Sequence, residues 1–355
     1  MGTVCLEEAR RLAKNNEVSV FTLRYGADDE AGTDASFSVK RLEPNFMFGD
    51  AGWLTGLSRE VNGYDIVHLH YPFYGALGSL ITAKKLIGFP LAVTYHMDSQ
   101  GTGIKKIFQK IYDFFYARRL FRLADKIFIV DREYLANSKY GRFIGKDKTA
   151  DLPNGVDTKV FCPGPSDWAA AGRPELAGKK TVLFVGNLLP VKNPEFLIRL
   201  LPSLPSDAVL VFVGGDYNEA SVRQAAAGSP YEKRIIFAGK DYDRGALAKF
   251  YRAASVVAVP SLSESFSLVA LEAMASGAIV AGNDIPGIRG RIQNNVDGFL
   301  APLNDLAGWA SVLNKIFVMS PEERRAIGER AVEKARAHDW DIHADKLDQY
   351  YRLIV

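Results

Sequence analysis

Two glutamates stand eight positions apart in the segment ESFSLVALEAMASG, at residues 264–277. Glu264 lies in a polar turn, and Glu272 lies within an otherwise apolar run of helical character. A carboxylate among apolar residues is costly to bury unless a polar group meets it, and the diol of a ribose would do so. The pair therefore suggests a site for a sugar attached to a diphosphate. The alternative is an amphipathic helix in which Glu272 pairs with a lysine or arginine of another element.

The elements around Glu264 support a phosphate site. The preceding run SVVAVPSL reads as a short buried strand that ends at Pro260, and a helix follows the turn. Open α/β sheets bind ligands at the carboxyl ends of their strands. The backbone N–H groups of residues 266–269, at the start of the helix, would attract a phosphate.

The rest of the chain supplies the sheets that such a site needs. From Glu17 to Val130 short β-rich runs alternate with helical stretches, and the alternation resumes at TVLFVG and AVLVFVGG. Repeated βα units predict parallel sheets with helices on both faces. A length of 355 residues exceeds the usual single-domain size, and the segment CPGPSDWAAAGRPELAGKK between the two series reads as a linker. The sequence therefore predicts two doubly wound α/β domains.

The composition narrows the class of protein. Hydrophobic residues make up 48% and charged residues 24% of the chain, as in ordinary globular proteins, and the net charge of +3 predicts no nucleic-acid partner. Cys5 and Cys162 form no disulfide framework and fit a reducing cytosol. Lys84 and Lys85 interrupt the longest apolar run, so no membrane span is predicted. Charged residues near the N-terminus argue against a signal peptide, and the expected location is cytoplasmic.

Four further segments carry a family resemblance. They are VTYHMDS at 93–99, LPNGVDTKVFCP at 152–163, LFVGNLLPVKNPEFLIRLL at 183–201 and NDIPGIRGRIQNNVDGFLAP at 283–302. In this order, and together with the spacing of Glu264 and Glu272, they resemble the retaining glycosyltransferases of family 4, which have the GT-B fold.

The resemblance implies an architecture and a reaction. Two Rossmann-like domains, at 1–163 and 164–340, would face each other across a cleft, and a last helix at 341–355 would pack back on the first domain. The enzyme would move a hexose-type sugar from a nucleoside diphosphate sugar to a hydroxyl acceptor, which could be a lipid, a sugar or a glycan. Neither a metal nor a cofactor beyond the sugar donor is expected.

The resemblance also implies roles for single residues. Glu264 would grip hydroxyls of the transferred sugar, Glu272 would hold the ribose, and His96 would touch the sugar or the acceptor. Lys192 would neutralise the departing diphosphate. The donor site is expected to be completed by Gly186, Asn187, Ser265, Phe266, Ser267 and Leu268.

Two features depart from the family pattern. Asn187 stands where the family usually has an arginine, so another cation would have to take over, and Arg289 and Arg291 are the candidates. The chain opens on a helix followed by a strand, whereas the family begins with a strand and a Gly-Gly loop. The first strand of the first sheet is therefore expected to be missing, which predicts a reading frame that starts upstream or a shortened form of doubtful activity.

Other residues could in principle bind a metal. The triads DYD at 241–243 and DWD at 339–341 match the letters of a metal-dependent sugar-nucleotide motif, but neither follows the apolar strand that such enzymes need. Asp243 is expected to cap a helix. His68 and His70 share one strand face and are expected to be structural.

The segment at 103–126 predicts a contact with membranes. It carries seven Lys or Arg against two Asp, with six Phe or Tyr among them. Basic, aromatic-rich helices can lie on an anionic bilayer, and this would suit a lipid-linked acceptor. The alternative is that the aromatic rings pack onto the sheet while the basic groups face water.

Two other functions remain open at this stage. One is a nucleotide-sugar isomerase or epimerase with the same two-domain frame, which would turn over without an acceptor. The other is a non-catalytic nucleotide-sugar-binding protein, which Asn187 and the missing strand would favour.

Overall fold

The computed structural model describes residues 1–24, 35–48, 51–98, 103–215, 218–240 and 243–355. It divides into two compact units, one of Met1–Asn154 with Trp340–Val355 and one of Gly155–Asp339. The first boundary falls after Asn154 rather than after residue 163 as predicted. Val156 forms a bridge with Asp339, and the Thr158 hydroxyl donates to the Asp339 carboxylate, so this stretch is tied to the second unit.

The secondary structure alternates between strands and helices along both units. The strands are β1 Ser19–Leu23, β2 Ser38–Leu42, β3 Phe46–Phe48, β4 Ala51–Trp53, β5 Val67–Tyr71, β6 Leu91–Tyr95, β7 Lys126–Ile129, β8 Thr149–Asp151, β9 Lys180–Val185, β10 Ala208–Val213, β11 Ile235–Gly239, β12 Val256–Val259, β13 Val280–Asn283 and β14 Phe299–Ala301. The helices are α1 Gly2–Leu12, α2 Leu57–Glu60, α3 Leu77–Ile87, α4 Gly103–Tyr112, α5 Arg118–Leu123, α6 Arg132–Ala136, α7 Pro194–Leu200, α8 Glu219–Ala227, α9 Arg244–Ala253, α10 Leu268–Ala275, α11 Pro286–Arg289, α12 Leu306–Phe317, α13 Pro321–Arg336 and α14 Trp340–Arg352.

The strands of the first unit form separate sheets. A parallel sheet runs in the order β5-β6-β7-β8, β1 pairs in parallel with β2, and β3 and β4 form an antiparallel pair. All residues of β6 are buried, as expected for a parallel strand that is covered on both faces. Within the described residues, no ladder joins β1 to β5.

The second unit has one parallel sheet in the order β11-β10-β9-β12-β13-β14. Counted from β9, this is the doubly wound order 3-2-1-4-5-6, in which the strand order reverses between β9 and β12. The loops after Val185 and Val259 therefore leave the sheet side by side at its carboxyl edge. Such a switch point is where doubly wound sheets bind their ligands.

The described aspartates of the two triads have structural roles. The carboxylate of Asp243 accepts a 2.7 Å hydrogen bond from the amide of Ala246 and caps α9, as predicted. Residues 241 and 242 lie outside the described residues. Asp341 lies 2.9 Å from Nε of Arg11, which joins α14 to α1.

No helix in the described part of the chain combines the length and the apolar character that crossing a bilayer requires.

Candidate active site

The loops that follow β9 and β12 are joined where they leave the sheet. The loop after β9 ends in a 3₁₀ turn, Pro190–Lys192, and the amide of Leu262 donates a 2.8 Å hydrogen bond to the carbonyl of Val191. This bond holds the turn that carries Lys192 against the loop that carries Glu264. Two residues that are 72 positions apart in the chain thus meet at the switch point.

Lys192 and Glu264 form an ion pair. Nζ of Lys192 lies 2.6 Å from Oε1 of Glu264, and the Ser261 hydroxyl donates to the same oxygen at 2.9 Å. The glutamate is 9% exposed, whereas the lysine side chain keeps a third of its surface exposed. The lysine side chain therefore remains accessible to solvent, and the carboxylate beside it is held in place by Lys192 and Ser261. The sequence analysis missed Ser261, although it lies in the same polar turn.

Asn283, the last residue of β13, holds the start of the loop. Its side-chain amide donates to the carbonyls of Pro260 at 2.7 Å and Ser261 at 3.0 Å. Its oxygen accepts a 2.8 Å hydrogen bond from the indole N–H of Trp309. Asn283 is 1% exposed, and all of these bonds are shielded from water. Sequence reasoning did not find this residue, because nothing local shows that its side chain reaches back to another loop.

Gly287 holds the end of the loop. Its amide donates a 3.2 Å hydrogen bond to the carbonyl of Glu264. A Cβ at this position would lie 2.3 Å from that carbonyl oxygen, closer than real Cβ atoms approach. Only glycine lets α11 approach the Glu264 backbone this closely.

The start of α10 leaves backbone donors available. Ser267 is the N-cap, and its hydroxyl accepts a 3.2 Å hydrogen bond from the amide of Ala270. Among the described residues, none accepts a hydrogen bond from the amides of residues 266–269. Unsatisfied N–H groups at a helix start attract anions. Ser265, Phe266 and Ser267 are buried. Their predicted place in the donor site stays a prediction.

Glu272 lies in the second turn of α10 and is half-buried. The hydroxyl of Tyr251, on α9, donates a 3.0 Å hydrogen bond to Oε2 of Glu272. Burial, together with the nearby Glu272 charge, raises the pKa of Tyr251 well above its ordinary value, so the phenol keeps its proton. One polar group that meets Glu272 is thus a tyrosine of the protein itself, which was not among the predicted site residues. The predicted contact of Glu272 with a ribose stays a prediction.

A pocket of about 350 Å³ opens at the carboxyl ends of β9, β10 and β11. Its lining includes Gly186, Asn187, Gly214, Gly215 and Lys240. Gly186 and Gly214 have φ angles of 134° and 128°, and a Cβ on Gly214 would lie 2.0 Å from the Gly186 carbonyl oxygen. Glycine at these positions lets the ends of β9 and β10 lie close together, and it lines the pocket with backbone atoms instead of side chains. Asn187 is exposed at this pocket.

The two arginines proposed to replace the missing cation have different surroundings. Nε of Arg289 forms a 2.6 Å ion pair with Asp284. Arg291 is buried, and its guanidinium lies 4.2 Å from the centre of the Phe266 ring. Of the two, Arg291 is the one that lies against the segment leading into α10.

His96 belongs to the first unit, whereas the residues described above belong to the second. It is 5% exposed, and its Nε2 lies 2.9 Å from Nδ1 of His70. Its predicted contact with the sugar or acceptor stays a prediction.

Comparison with known families and proteins agrees with the geometry. The family described as "Glycosyl transferases group 1" matches residues 170–334, and "Glycosyltransferase Family 4" matches residues 1–160. The D-inositol 3-phosphate glycosyltransferase of Streptosporangium roseum is 31% identical, over 99% of this chain and 87% of the relative. The enzyme of the same description from Corynebacterium glutamicum is 29% identical, over 90% of this chain and 80% of the relative.

Solved structures share the fold. Anabaena HepE in complex with UDP-glucose superposes with a TM-score of 0.82 at 19% identity, over 99% of this chain and 95% of that one. Sucrose-phosphate synthase from Thermosynechococcus elongatus has a TM-score of 0.78 at 22% identity, and the match covers 99% of this chain and 92% of that one. The predicted GT-B fold is thereby confirmed. The chain belongs to the glycosyltransferases of family 4, and it is an enzyme that transfers a sugar.

Proposed function

We propose that this glycosyltransferase moves a hexose-type sugar from a nucleoside diphosphate sugar to a hydroxyl acceptor with retention of the anomeric configuration. The observation that carries the proposal is the 2.6 Å contact between Lys192 and Glu264 at the switch point, beside the available amides that start α10. HepE was solved with UDP and with UDP-glucose, which makes uridine diphosphate sugars the first donors to test.

Donor binding would exchange the partners of this ion pair. The diphosphate would lie against the amides of Phe266–Leu268, and the Lys192 ammonium would turn toward it as charge develops on the leaving oxygen. Oε1 of Glu264 would then accept from a hydroxyl of the transferred sugar, while Ser261 keeps the carboxylate in place. Because the Lys192 ammonium would neutralise the diphosphate in this proposal, the transfer needs no metal ion at the site.

Glu272 would bind the ribose of the donor. Tyr251 already donates to Oε2, which fixes the orientation of the carboxylate before the nucleotide arrives. A ribose diol would supply further donors to a half-buried acceptor. The pocket beside Asn187 and Lys240 would accommodate the rest of the nucleotide.

Retention in this proposal needs no side-chain nucleophile. The acceptor hydroxyl attacks from the side that the phosphate leaves, and the leaving phosphate oxygen takes its proton. The protein then contributes positioning and charge stabilisation, which can lower a barrier by several kcal/mol. Analysis of the anomeric configuration of the product by NMR tests this step, and an inverted product would contradict it.

A donor screen tests the proposal as a whole. Uridine, guanosine and adenosine diphosphate sugars are offered with a panel of hydroxyl acceptors to the parent and to Glu272→Ala. Glu329→Ala, at an exposed helical position, is the matched control. We expect transfer from one donor class, lost in Glu272→Ala and kept in the control. Turnover without acceptor would identify an isomerase, and binding without transfer or hydrolysis would identify a non-catalytic binding protein.

A specific observation favours a lipid-linked acceptor. The described aromatic and apolar side chains of the segment 103–126 include a buried set and an exposed set. Phe108, Tyr112, Tyr116 and Phe121 pack on the core of the first unit. The side chains of Ile107, Ile111, Phe114 and Phe115 stay more than half exposed.

Basic groups accompany the exposed apolar set. Lys106, Lys110 and Arg119 are exposed on the same segment, and the Arg118 guanidinium lies over the ring of Phe114 at 5.0 Å. Apolar side chains that insert at the acyl boundary, with cations at the headgroups, suit an anionic bilayer. We infer that this segment docks the enzyme on such a surface.

Co-sedimentation with liposomes checks the docking. Binding should rise with the anionic lipid fraction and fall in the double variant Phe114→Ser/Phe115→Ser. Leu86→Ser, at a single apolar side chain that is 79% exposed on α3, should bind like the parent. Equal binding to neutral and anionic liposomes would contradict the inference.

A further inference from the structure

A buried carboxylate in the first unit has an unusual environment. Glu8 lies on α1 and is 2% exposed. The side chains around it are imidazoles, from His68 and His70 on β5 and from His343 on α14. A buried carboxylate requires charged or polar partners to offset its desolvation. Here those partners are groups that commonly bind metals.

The atoms that face one another have suitable spacing for a metal. Oε2 of Glu8 lies 3.4 Å from Nε2 of His70 and 3.8 Å from Nδ1 of His68. The donor atoms of these three residues all lie within 4.8 Å of one another. Ligand atoms around a tetrahedral zinc ion, at their usual bond lengths, are about 3.4 Å apart. Small rotations of the two imidazoles would therefore bring all three donors to one ion.

The second nitrogen or oxygen of each of these three side chains lies within hydrogen-bonding distance of another group. Nε2 of His68 lies 2.7 Å from the Thr94 hydroxyl, and Nδ1 of His70 lies 2.9 Å from Nε2 of His96. Oε1 of Glu8 lies 2.9 Å from Nε2 of His343. Metal-bound imidazoles and carboxylates are oriented by such outer hydrogen bonds, which fix the tautomer and aim the free lone pair.

Burial also acts on the imidazoles of the cluster. It lowers the pKa of His68 to about 3, and it lowers the pKa of His70 and of His96 as well. Burial acts to raise the pKa of Glu8, but its interactions with His70 and His343 outweigh burial and lower this pKa.

We propose that Glu8, His68 and His70 bind one divalent transition-metal ion of the zinc class in the first unit. Two imidazole nitrogens and one carboxylate oxygen favour this class over Mg²⁺ or Ca²⁺. The ion would join α1 to β5, which makes its role structural. The sequence analysis found no metal cluster, because it considered His68 and His70 without Glu8.

The hydroxyl of Tyr351 would compete with the ion for His68, which gives a second test of the site. This hydroxyl lies 2.5 Å from Nδ1 of His68 and so occupies the lone pair that the ion would take. Metal binding must break this hydrogen bond. Tyr351→Phe removes the competing group, so it should bind the metal as tightly as the parent or more tightly, whereas loss of a ligand should abolish binding.

Calorimetric titration of the chelator-treated full chain with Zn²⁺ tests the site. The parent should take up one equivalent with a rise in unfolding temperature, and bound Co²⁺ should absorb visible light more strongly than hydrated Co²⁺. Glu8→Gln and His70→Gln should lose the uptake, and Thr94→Val should weaken it by about 10- to 100-fold. His338→Gln, at a histidine of the second unit, should leave it unchanged.

The proposal is overturned if the parent takes up no stoichiometric Zn²⁺, or if uptake is unchanged in both Glu8→Gln and His70→Gln. Should the ligand variants fail to fold, Thr94→Val and Tyr351→Phe decide the matter. Weaker binding in the first with equal or tighter binding in the second supports the site. Parent-like affinity in Thr94→Val overturns it.

Discussion

The hydroxyl of Tyr251 donates a 3.0 Å hydrogen bond to Oε2 of Glu272 and so joins α9 to α10 beneath the site. Tyr251 is fully buried, and its ring packs 5.9 Å from that of Phe161. The glutamate that the sequence analysis assigned to the ribose is therefore oriented by a residue that does not touch solvent. Two consequences can be separated experimentally, one for folding and one for donor binding.

Tyr251→Phe keeps the ring and removes the donor to Glu272. Because hydrogen bonds to charged groups contribute about 1.5–3 kcal/mol, we expect a loss of stability of that order together with a higher KM for the sugar donor. The value of kcat should change less, since the reacting atoms are not touched. Thermal unfolding and steady-state kinetics measure both. An unchanged KM would show that the orientation of Glu272 does not matter for binding.

Lys192→Ala should affect the chemical step more than binding. In the proposed mechanism the ammonium stabilises the charge that develops on the leaving diphosphate, and removal of one such group costs about 10²- to 10³-fold in kcat. Its loss also leaves Glu264 without its 2.6 Å cationic partner. Lys192→Arg, which keeps the charge, should recover part of the rate. A fall in affinity without a fall in kcat would place the lysine outside the reaction.

Asn187→Arg should strengthen the hold on the diphosphate. The side chain at this position is exposed at the pocket beside β9, and a guanidinium there would add a charge that asparagine lacks. Exposed charge pairs contribute up to about 1 kcal/mol, so affinity for the nucleoside diphosphate should rise by about two- to five-fold and depend more steeply on salt. Calorimetry at two ionic strengths measures this, with Asn187→Ala as the uncharged control.

Asn283→Ala should loosen the loop that carries Glu264. The substitution leaves the carbonyls of Pro260 and Ser261 and the indole of Trp309 buried without their partner. Each unsatisfied buried group costs about 1–3 kcal/mol, so a large fall in the unfolding temperature is expected. Asn314→Ala, which removes one bond to the Ser203 carbonyl from a partly exposed side chain, should have a small effect. Comparable losses in both variants would contradict the role given to Asn283.

The order of elements and the positions of the ligand-binding loops follow from local patterns. Apolar runs of strand length mark β9 and β12, and the polar turn between Pro260 and α10 marks the site. The helix start was anticipated near Phe266, whereas α10 begins at Leu268. Ser267 is the reason, because its hydroxyl caps the helix, and serine before an apolar run is the usual signal for that position.

Long-range contacts were not predictable in the same way. Asn283 and Tyr251 act through partners on other elements, and their neighbours in sequence do not reveal the direction of their side chains. Glu8 is different, since a signal was present. Val4, Glu8 and Leu12 repeat every fourth residue, and all three lie on the buried face of α1. The helical period therefore points the carboxylate inward, toward the histidines of β5.

The assignment of α14 to the first unit has a consequence for biosynthesis. Glu8 and His68 both contact residues of this helix, His343 and Tyr351, which the ribosome adds only after the whole of Gly155–Asp339. The first unit therefore keeps an uncovered face on the nascent chain until α14 has been made and has packed on α1.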